Sequence, residues 1–280
     1  NKLEAFQVGI YALAKLTTGK VHLSVKGKGK SIFKDVKGVS LHQVYGPHPA
    51  GNVGVQIGKI SPINAGERVW TVTPQDVATI GELFLTGKFN ATRTVALVGS
   101  EVKDAQYYNV ISGAAIADLV AGKIEGDNVR VISGDVLTGT KVKMDGNLGF
   151  LSNTVTVIPE GNVYRMFGWM PFASPSVHSA SRTGLSWLMP GKKYAPNTNL
   201  NGEERALVVT GEMEAVMPLD IFPMQLLKAC LASDIDKMES LGIYEVAPED
   251  FALIDYTNTS KLEAQQIIRE ALDLMIKEVG

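Results

Sequence analysis

His48 is the side chain whose neighbours best equip it for chemistry. It lies in GPHPAG at residues 46–51, and from Gly46 to Gly58 six of thirteen positions are glycine or proline. Proline fixes φ and removes a backbone donor, while glycine admits positive φ and close backbone approach. An imidazole held in such a turn can donate a hydrogen bond, move a proton or ligate a metal. The plainer alternative is a positioned turn residue. His22, His42 and His178 form no HxxxH or HxxE pattern with it, so no metal motif is spelled out. Val53, Val55, Ile57 and Ile60 return at what reads as alternate spacing. The stretch 44–60 therefore reads as a constrained turn after a strand, the place where an α/β domain holds, or once held, a nucleotide.

Other candidate motifs fail on inspection. KGKGK at 26–30 follows the apolar VHLSV, but a dinucleotide fingerprint needs a third glycine where Ile32 stands. GKS at 29–31 imitates the end of a P-loop, yet the first glycine of that motif falls on Ser24. A solvated basic turn is the better reading. Cys230, the single cysteine, sits among Leu226, Leu227 and Leu231 in a core setting, and no GxSxG elbow exists. Asp234 with Asp236, and Glu249 with Asp250, belong at helix starts, where negative charge is favourable. Glu203 and Glu204 read as a solvated face. Trp187, Leu188 and Met189 lie in the loop 171–202, which contains four prolines, Arg182, Lys192 and Lys193. That apolar trio either docks a partner or a membrane interface, or packs on its own domain.

The elements that position these groups follow from periodicity. Leu3, Phe6, Ile10, Leu13 and Leu16 predict an amphipathic helix with Gly19 beyond its end. Strands are predicted over 21–25 and 39–45, and a further one over 69–72. Thr73, Pro74 and Asp76 are N-cap, N1 and N3 of a helix with Val77, Ile80 and Phe84 on its apolar face and Gly87 closing it. From Arg93 a compact module follows. It has strands at 94–102 and 107–111, a helix ended by Gly122, and strands at 129–132 and 140–144. Thr154–Ile158 and Val163–Phe167 read as a hairpin around Pro159–Gly161. The last 70 residues are mainly helical: 219–231 interrupted by Pro223, 235–241 ended by Gly242, and a closing helix with Ala264, Ile268, Ala271, Leu272, Met275, Ile276 and Val279 as its stripe.

At 280 residues, 45% hydrophobic and 20% charged, the chain has room for two or three domains with real cores. A net charge of −2 gives no overall attraction for nucleic acid or an anionic membrane. No run approaches the roughly 20 apolar residues of a membrane span. One cysteine excludes an internal disulfide framework and a four-cysteine site. The chain opens at Asn1 directly in a helical pattern, so further sequence upstream is expected.

Taken together, GPHPAG at 46–51, VWTVTPQDVATIGELFLTG at 69–87, RTVALVG at 93–99, ISGAAIADLVAG at 111–122, RVISGDVLTGT at 130–140 and MPLDIFPMQLL at 217–227 resemble the NqrA family. Its members are one component of the bacterial sodium-translocating NADH:quinone oxidoreductase. The resemblance runs across nearly the whole chain and lacks only that family's N-terminal region. It also implies kinship with the flavin-binding subunit of respiratory complex I and with Rnf complexes.

The fold class it implies is α/β plus β-grasp plus α-helical. Residues 1–91 would be the C-terminal part of a Rossmann-like α/β domain and 92–145 a β-grasp domain of the SLBB (soluble ligand-binding β-grasp) type. Residues 146–210 would be a β-hairpin and long loop, and 211–280 a helical domain resembling an iron–sulfur domain without its cysteines. A cluster needs cysteine thiolates, and the matching stretch offers Met217, Leu219, Ile221 and Pro223 with Cys230 alone downstream.

The resemblance thus implies a peripheral subunit on the cytoplasmic face of the inner membrane, without a transmembrane segment. It would support electron transfer to ubiquinone coupled to sodium export, with no cofactor or catalytic residue of its own. NADH, flavins and iron–sulfur groups would lie on partner subunits. Contact with quinone or a partner would fall to His48, Pro49, Gly51 and Trp187. Two alternatives stand beside it: a flavin- or NADH-binding subunit of the complex I or Rnf kind, and a non-enzymatic SLBB ligand-binding module.

Overall fold

The computed structural model describes residues 2–163, 177–180, 182 and 184–279, and the chain divides into two compact units, 1–93 and 94–280. In the first unit α1 (Lys2–Leu16) packs on α3 (Pro74–Thr86). Phe6 and Ile10 of α1 and Val77 of α3 form the centre of a small core, and Phe33 packs on Phe6 with 4.7 Å between ring centroids. Gln7 fastens α1 to the following loop twice: its Nε2 donates to the Lys37 carbonyl and its Oε1 accepts from the Lys37 N–H.

The α1–α3 seam is unusually close because glycine faces backbone on both sides. A Cβ at Gly81 would fall on the carbonyl of Ala5, and one at Gly9 on the carbonyl of Val77. Phe84, expected on the buried face of α3, is instead exposed. The seam turns on Val77 and Gly81, which leaves no space there for a large ring. Leu16, at the end of the predicted stripe of α1, is 82% exposed. Helix α1 stops at Leu16, and the N–H of Gly19 is taken by Thr17 Oγ1.

The start of α3 is as the sequence requires. Thr73 Oγ1 accepts from the Asp76 N–H and donates to Asp76 Oδ2, Pro74 occupies the first turn, and Gly87 closes the helix with φ 70°. Asp76 also pairs with the buried Arg93. Strands β1 (His22–Lys26) and β2 (Ser40–Val44) pair in parallel.

Two expectations in this unit are corrected. The segment 53–60 is helix α2 (Val53–Ile60), not an alternating extended stretch. Val53, Ile57 and Ile60 fall at i, i+4 and i+7, a helical spacing, and the cost of Gly54 and Gly58 inside a helix disguised it. Residues 69–72 are not a strand: Val69, Trp70 and Val72 are exposed, and the segment pairs with no neighbouring strand among the described residues. β-branched and aromatic residues suit a strand only where an edge receives them.

The second unit is built on a five-stranded mixed sheet in the order β4–β3–β7–β5–β6. Its strands are β3 (Thr92–Val98), β4 (Gln106–Ile111), β5 (Val129–Ser133), β6 (Thr140–Val142) and β7 (Thr154–Pro159), with helix α4 (Ile116–Val120) after β4. β7 lies at the centre, parallel to β3 and antiparallel to β5, with Val131 opposite Val157. Its middle residues are buried on both faces, whereas β3 alternates. Val95, Leu97, Ile116, Leu119, Val155 and Val157 form the core beneath α4. The sheet thus extends past residue 145. Of the expected hairpin, β7 is present, Val163 lies outside any strand, and 164–167 lie outside the described residues.

The C-terminal helices are α5 (Pro223–Leu231), α6 (Ile235–Ser240), α7 (Ala252–Thr257) and α8 (Ala264–Glu278). Pro223 starts α5 instead of interrupting it, because proline at N1 removes only a donor that has no helical partner. Asp234 caps α6, and Asp236 lies in its first turn. Ala264, Ile268, Ala271 and Met275 of α8 are buried, while Ile276 and Val279 extend the predicted stripe onto the exposed surface.

The glycine seam yields a prediction whose sign is diagnostic. Helix propensity alone makes Gly81→Ala more stable by about 1 kcal/mol. Collision with the Ala5 carbonyl makes it less stable, by roughly 1–3 kcal/mol, as read from the urea unfolding midpoint. A midpoint that rises would refute the seam.

Candidate functional site

Parallel strands deliver their following loops to the same edge of a sheet, and that edge is where open α/β sheets bind ligands. β1 runs into the turn at 26–30 and β2 into GPHPAG, so both loops leave the carboxyl edge of the pair. They are joined there. The Gly27 N–H donates to the Val44 carbonyl at 2.9 Å. The ring of Tyr45 lies over Gly27, where a Cβ would collide with it. Lys26, Lys28 and Lys30 are exposed around this junction, which makes the turn a solvated basic one.

GPHPAG itself is held by its own backbone. Gly46 has φ 125°, the His48–Pro49 peptide is cis, the Ala50 N–H donates to the Pro47 carbonyl, and the Asn52 N–H to that of Pro49. Gln56 Nε2 reaches back from α2 to the Gly51 carbonyl at 3.0 Å. His48 and Gly51 are exposed on this loop, and Pro49 is half-buried. The arrangement offers an imidazole on a defined strand–loop–helix connection that leaves the same edge of the pair as the basic turn, and both can donate hydrogen bonds to a carbonyl or an acidic group.

Trp187 belongs to the second unit, in a 3-10 turn over Leu185–Leu188. It is 54% exposed, with Leu185 and Leu188 exposed beside it. Ser179 braces this turn: its N–H donates to Ser186 Oγ and its Oγ accepts from the Gly184 N–H. The far end of the loop is clasped to the sheet at Glu160. That carboxylate accepts from Arg130, from Lys141 Nζ at 2.9 Å and from Thr198 Oγ1 at 2.8 Å. Thr198 Oγ1 takes the Gly161 N–H, and Asn199 Oδ1 the Val163 N–H. The Arg130 guanidinium foremost, with Lys141 and Thr198, holds the Glu160 carboxyl down at about 2, against an opposing contribution from burial.

Sequence spacing missed two histidine environments. His22 and His42, twenty residues apart, meet across the parallel pair. His178 lies between Tyr194, edge-on at 5.3 Å, and Tyr256, stacked at 6.0 Å. Only strand register and tertiary packing bring these groups together, so no local motif announces them.

The donor set for an iron–sulfur cluster does not fit. Cys230 is the one cysteine, and burial pushes its thiol up to about 11, away from the thiolate that iron requires. Among the described residues no group of three histidine, cysteine or carboxylate side chains is placed to hold a metal ion. No described helix is long and apolar enough to cross a membrane.

Two family models match: "NqrA second alpha/beta domain" over residues 1–89 and "NQRA C-terminal domain", the SLBB model, over 94–144. Together they cover half of the chain. The NqrA subunit of the Na(+)-translocating NADH-quinone reductase of Neisseria meningitidis serogroup B is 37% identical over 98% of this chain and 62% of its own length. The chain belongs to the NqrA family. Proteins of the same description from Serratia proteamaculans and Klebsiella pneumoniae are 39% and 38% identical over 99% and 98% of this chain. The chain spans about 62% of the length of the curated relatives it matches.

The Glu160 clasp carries a pH signature. A carboxyl with a folded value below its ordinary 4.5 stabilises the fold fully above that pH and progressively less as pH falls towards about 2. Glu160→Gln is expected to lower stability by roughly 1–3 kcal/mol at pH 7, with the gap to the parent closing between pH 4.5 and 2. Equal pH dependence of parent and variant in chemical unfolding would rule the clasp out.

Proposed function

We propose that this chain serves as a peripheral subunit of a sodium-translocating NADH:quinone oxidoreductase, on the cytoplasmic face of the inner membrane. It acts there as a docking scaffold that supports electron transfer to ubiquinone coupled to sodium export. The observation carrying this reading is the relatedness itself: more than a third of residues identical to NqrA proteins over nearly the whole chain. Electrons would pass through NADH, flavins and iron–sulfur groups on partner subunits, since a single protonated thiol cannot supply a cluster.

In this reading the segment 1–91 is the C-terminal part of a Rossmann-like domain and 92–145 an SLBB-type β-grasp domain. The segment 146–210 supplies β7 to that domain's sheet and continues as a long loop, and 211–280 is a helical domain of iron–sulfur ancestry. The contact surface for quinone or a neighbouring protein of the complex is the GPHPAG loop, with His48 as hydrogen-bond donor and Pro49 and Gly51 shaping its approach; Trp187 provides a second, apolar contact. A quinone head needs an apolar slot with one or two polar groups at its carbonyls. Tyr45 and His48 supply both kinds of group on one loop.

Photo-crosslinking of a quinone analogue to the assembled complex, followed by peptide mapping, tests the contact. Labelled peptides from 44–60 are expected, and competition by ubiquinone should suppress them. Labels confined to other subunits would remove quinone from this chain. Failure of the chain to co-purify with membrane subunits would remove the scaffold role itself.

A further inference from the structure

Parallel pairing sets His22 opposite Ser40 and Ser24 opposite His42. Side chains alternate along a strand, so these four residues share one face of the β1–β2 pair. Leu23 and Val25 take the other face, where Val25 is buried and Leu23 packs against the core around Phe6 and Ile10. On the polar face the two imidazoles converge. His22 Nδ1 and His42 Nε2 are 2.9 Å apart, and the rings meet edge to edge through these nitrogens, with centroids 5.1 Å apart and planes 20° from parallel.

We propose that His22 and His42 form a two-imidazole chelate for a divalent late-transition-metal ion, Cu2+, Ni2+ or Zn2+. Neutral imidazole is a preferred ligand of all three. Metal–nitrogen bonds of about 2.0–2.1 Å drawn to two nitrogens 2.9 Å apart subtend about 90°, the angle of square-planar and octahedral ions, once each ring swings so that its lone pair leaves the nitrogen–nitrogen line towards the ion. Rotating the rings to widen the separation by ~0.4 Å gives the tetrahedral angle that zinc adopts. In the metal-free pair one of the facing nitrogens carries the shared hydrogen. When the ion takes both lone pairs, that proton passes through solvent to the other nitrogen of its own ring. Ser24 and Ser40 flank the pair on the same face, where their hydroxyls can hydrogen-bond metal-bound water. Water completes the coordination, since no third histidine, cysteine or carboxylate joins the pair among the described residues. The site is independent of the proposed scaffold role and of His48.

Titration of the purified chain with copper, nickel and zinc salts, one at a time, tests it by calorimetry, with the Cu2+ adduct read by electron paramagnetic resonance. One ion per chain is expected, with hyperfine structure from two imidazole nitrogens. Losing a partner outside the first coordination sphere already weakens a metal about 10–100-fold, so His22→Ala and His42→Ala should each weaken binding at least tenfold and leave one nitrogen in the spectrum. His42→Gln, which keeps a hydrogen-bonding group at the position, should show the same loss with an unchanged circular dichroism spectrum. His48→Ala and His178→Ala should bind as the parent does. Parent-like affinity in the His22→Ala/His42→Ala double variant, or no binding by the parent, overturns the proposal.

Discussion

The C-terminal helices close on one another through aliphatic, aromatic and thioether groups, and that interior governs what the chain can carry. Met213, Met224, Met238 and Met275 pack with Leu226, Leu227, Phe251 and Ile268. Methionine adapts to irregular gaps that branched side chains leave. So dry an interior disfavours charge. The Cys230 thiol is driven upward, and burial likewise raises the carboxyl groups of Asp250 and Asp255. Each acid is kept by local backbone donors: Asp250 accepts the Ala247 N–H and Asp255 that of Ala264. These groups order turns between helices.

The first unit works by a different constraint. Its parallel pair is small, and a two-stranded element has little stability alone. Support comes from α1 and α3, which meet through backbone at Gly9 and Gly81 and so bring Phe6, Ile10 and Val77 into one cluster. With the strands fixed, both following loops reach the same edge, where Gly27 and Tyr45 lock them together. The exposure of His48 is thus a consequence of strand direction and of a loop that hydrogen-bonds to itself.

How much of this was legible in the sequence depended on whether the signal was local. Thr73, Pro74 and Asp76 announced α3 because a cap is made by neighbours three residues apart. Phe6 and Ile10 announced the buried side of α1 by their period. The α2 helix is hidden in the sequence because Gly54 and Gly58 argue against it, and 69–72 carries strand propensity without a partner strand, which propensity does not report. The central place of β7 also escaped the sequence, since insertion between β3 and β5 is a long-range choice. At the candidate site the GPHPAG loop could be read, being local. The meeting of His22 with His42 could not, since it depends on the register of two strands.

In the proposed role this chain contributes surface to an electron-transferring assembly and no electron carrier of its own. Iron and flavin analysis of the purified chain, combined with a redox titration followed by visible absorbance, tests that role most directly. The prediction is substoichiometric iron and flavin and no reducible chromophore. A flavin or iron–sulfur group held at one per chain would contradict it.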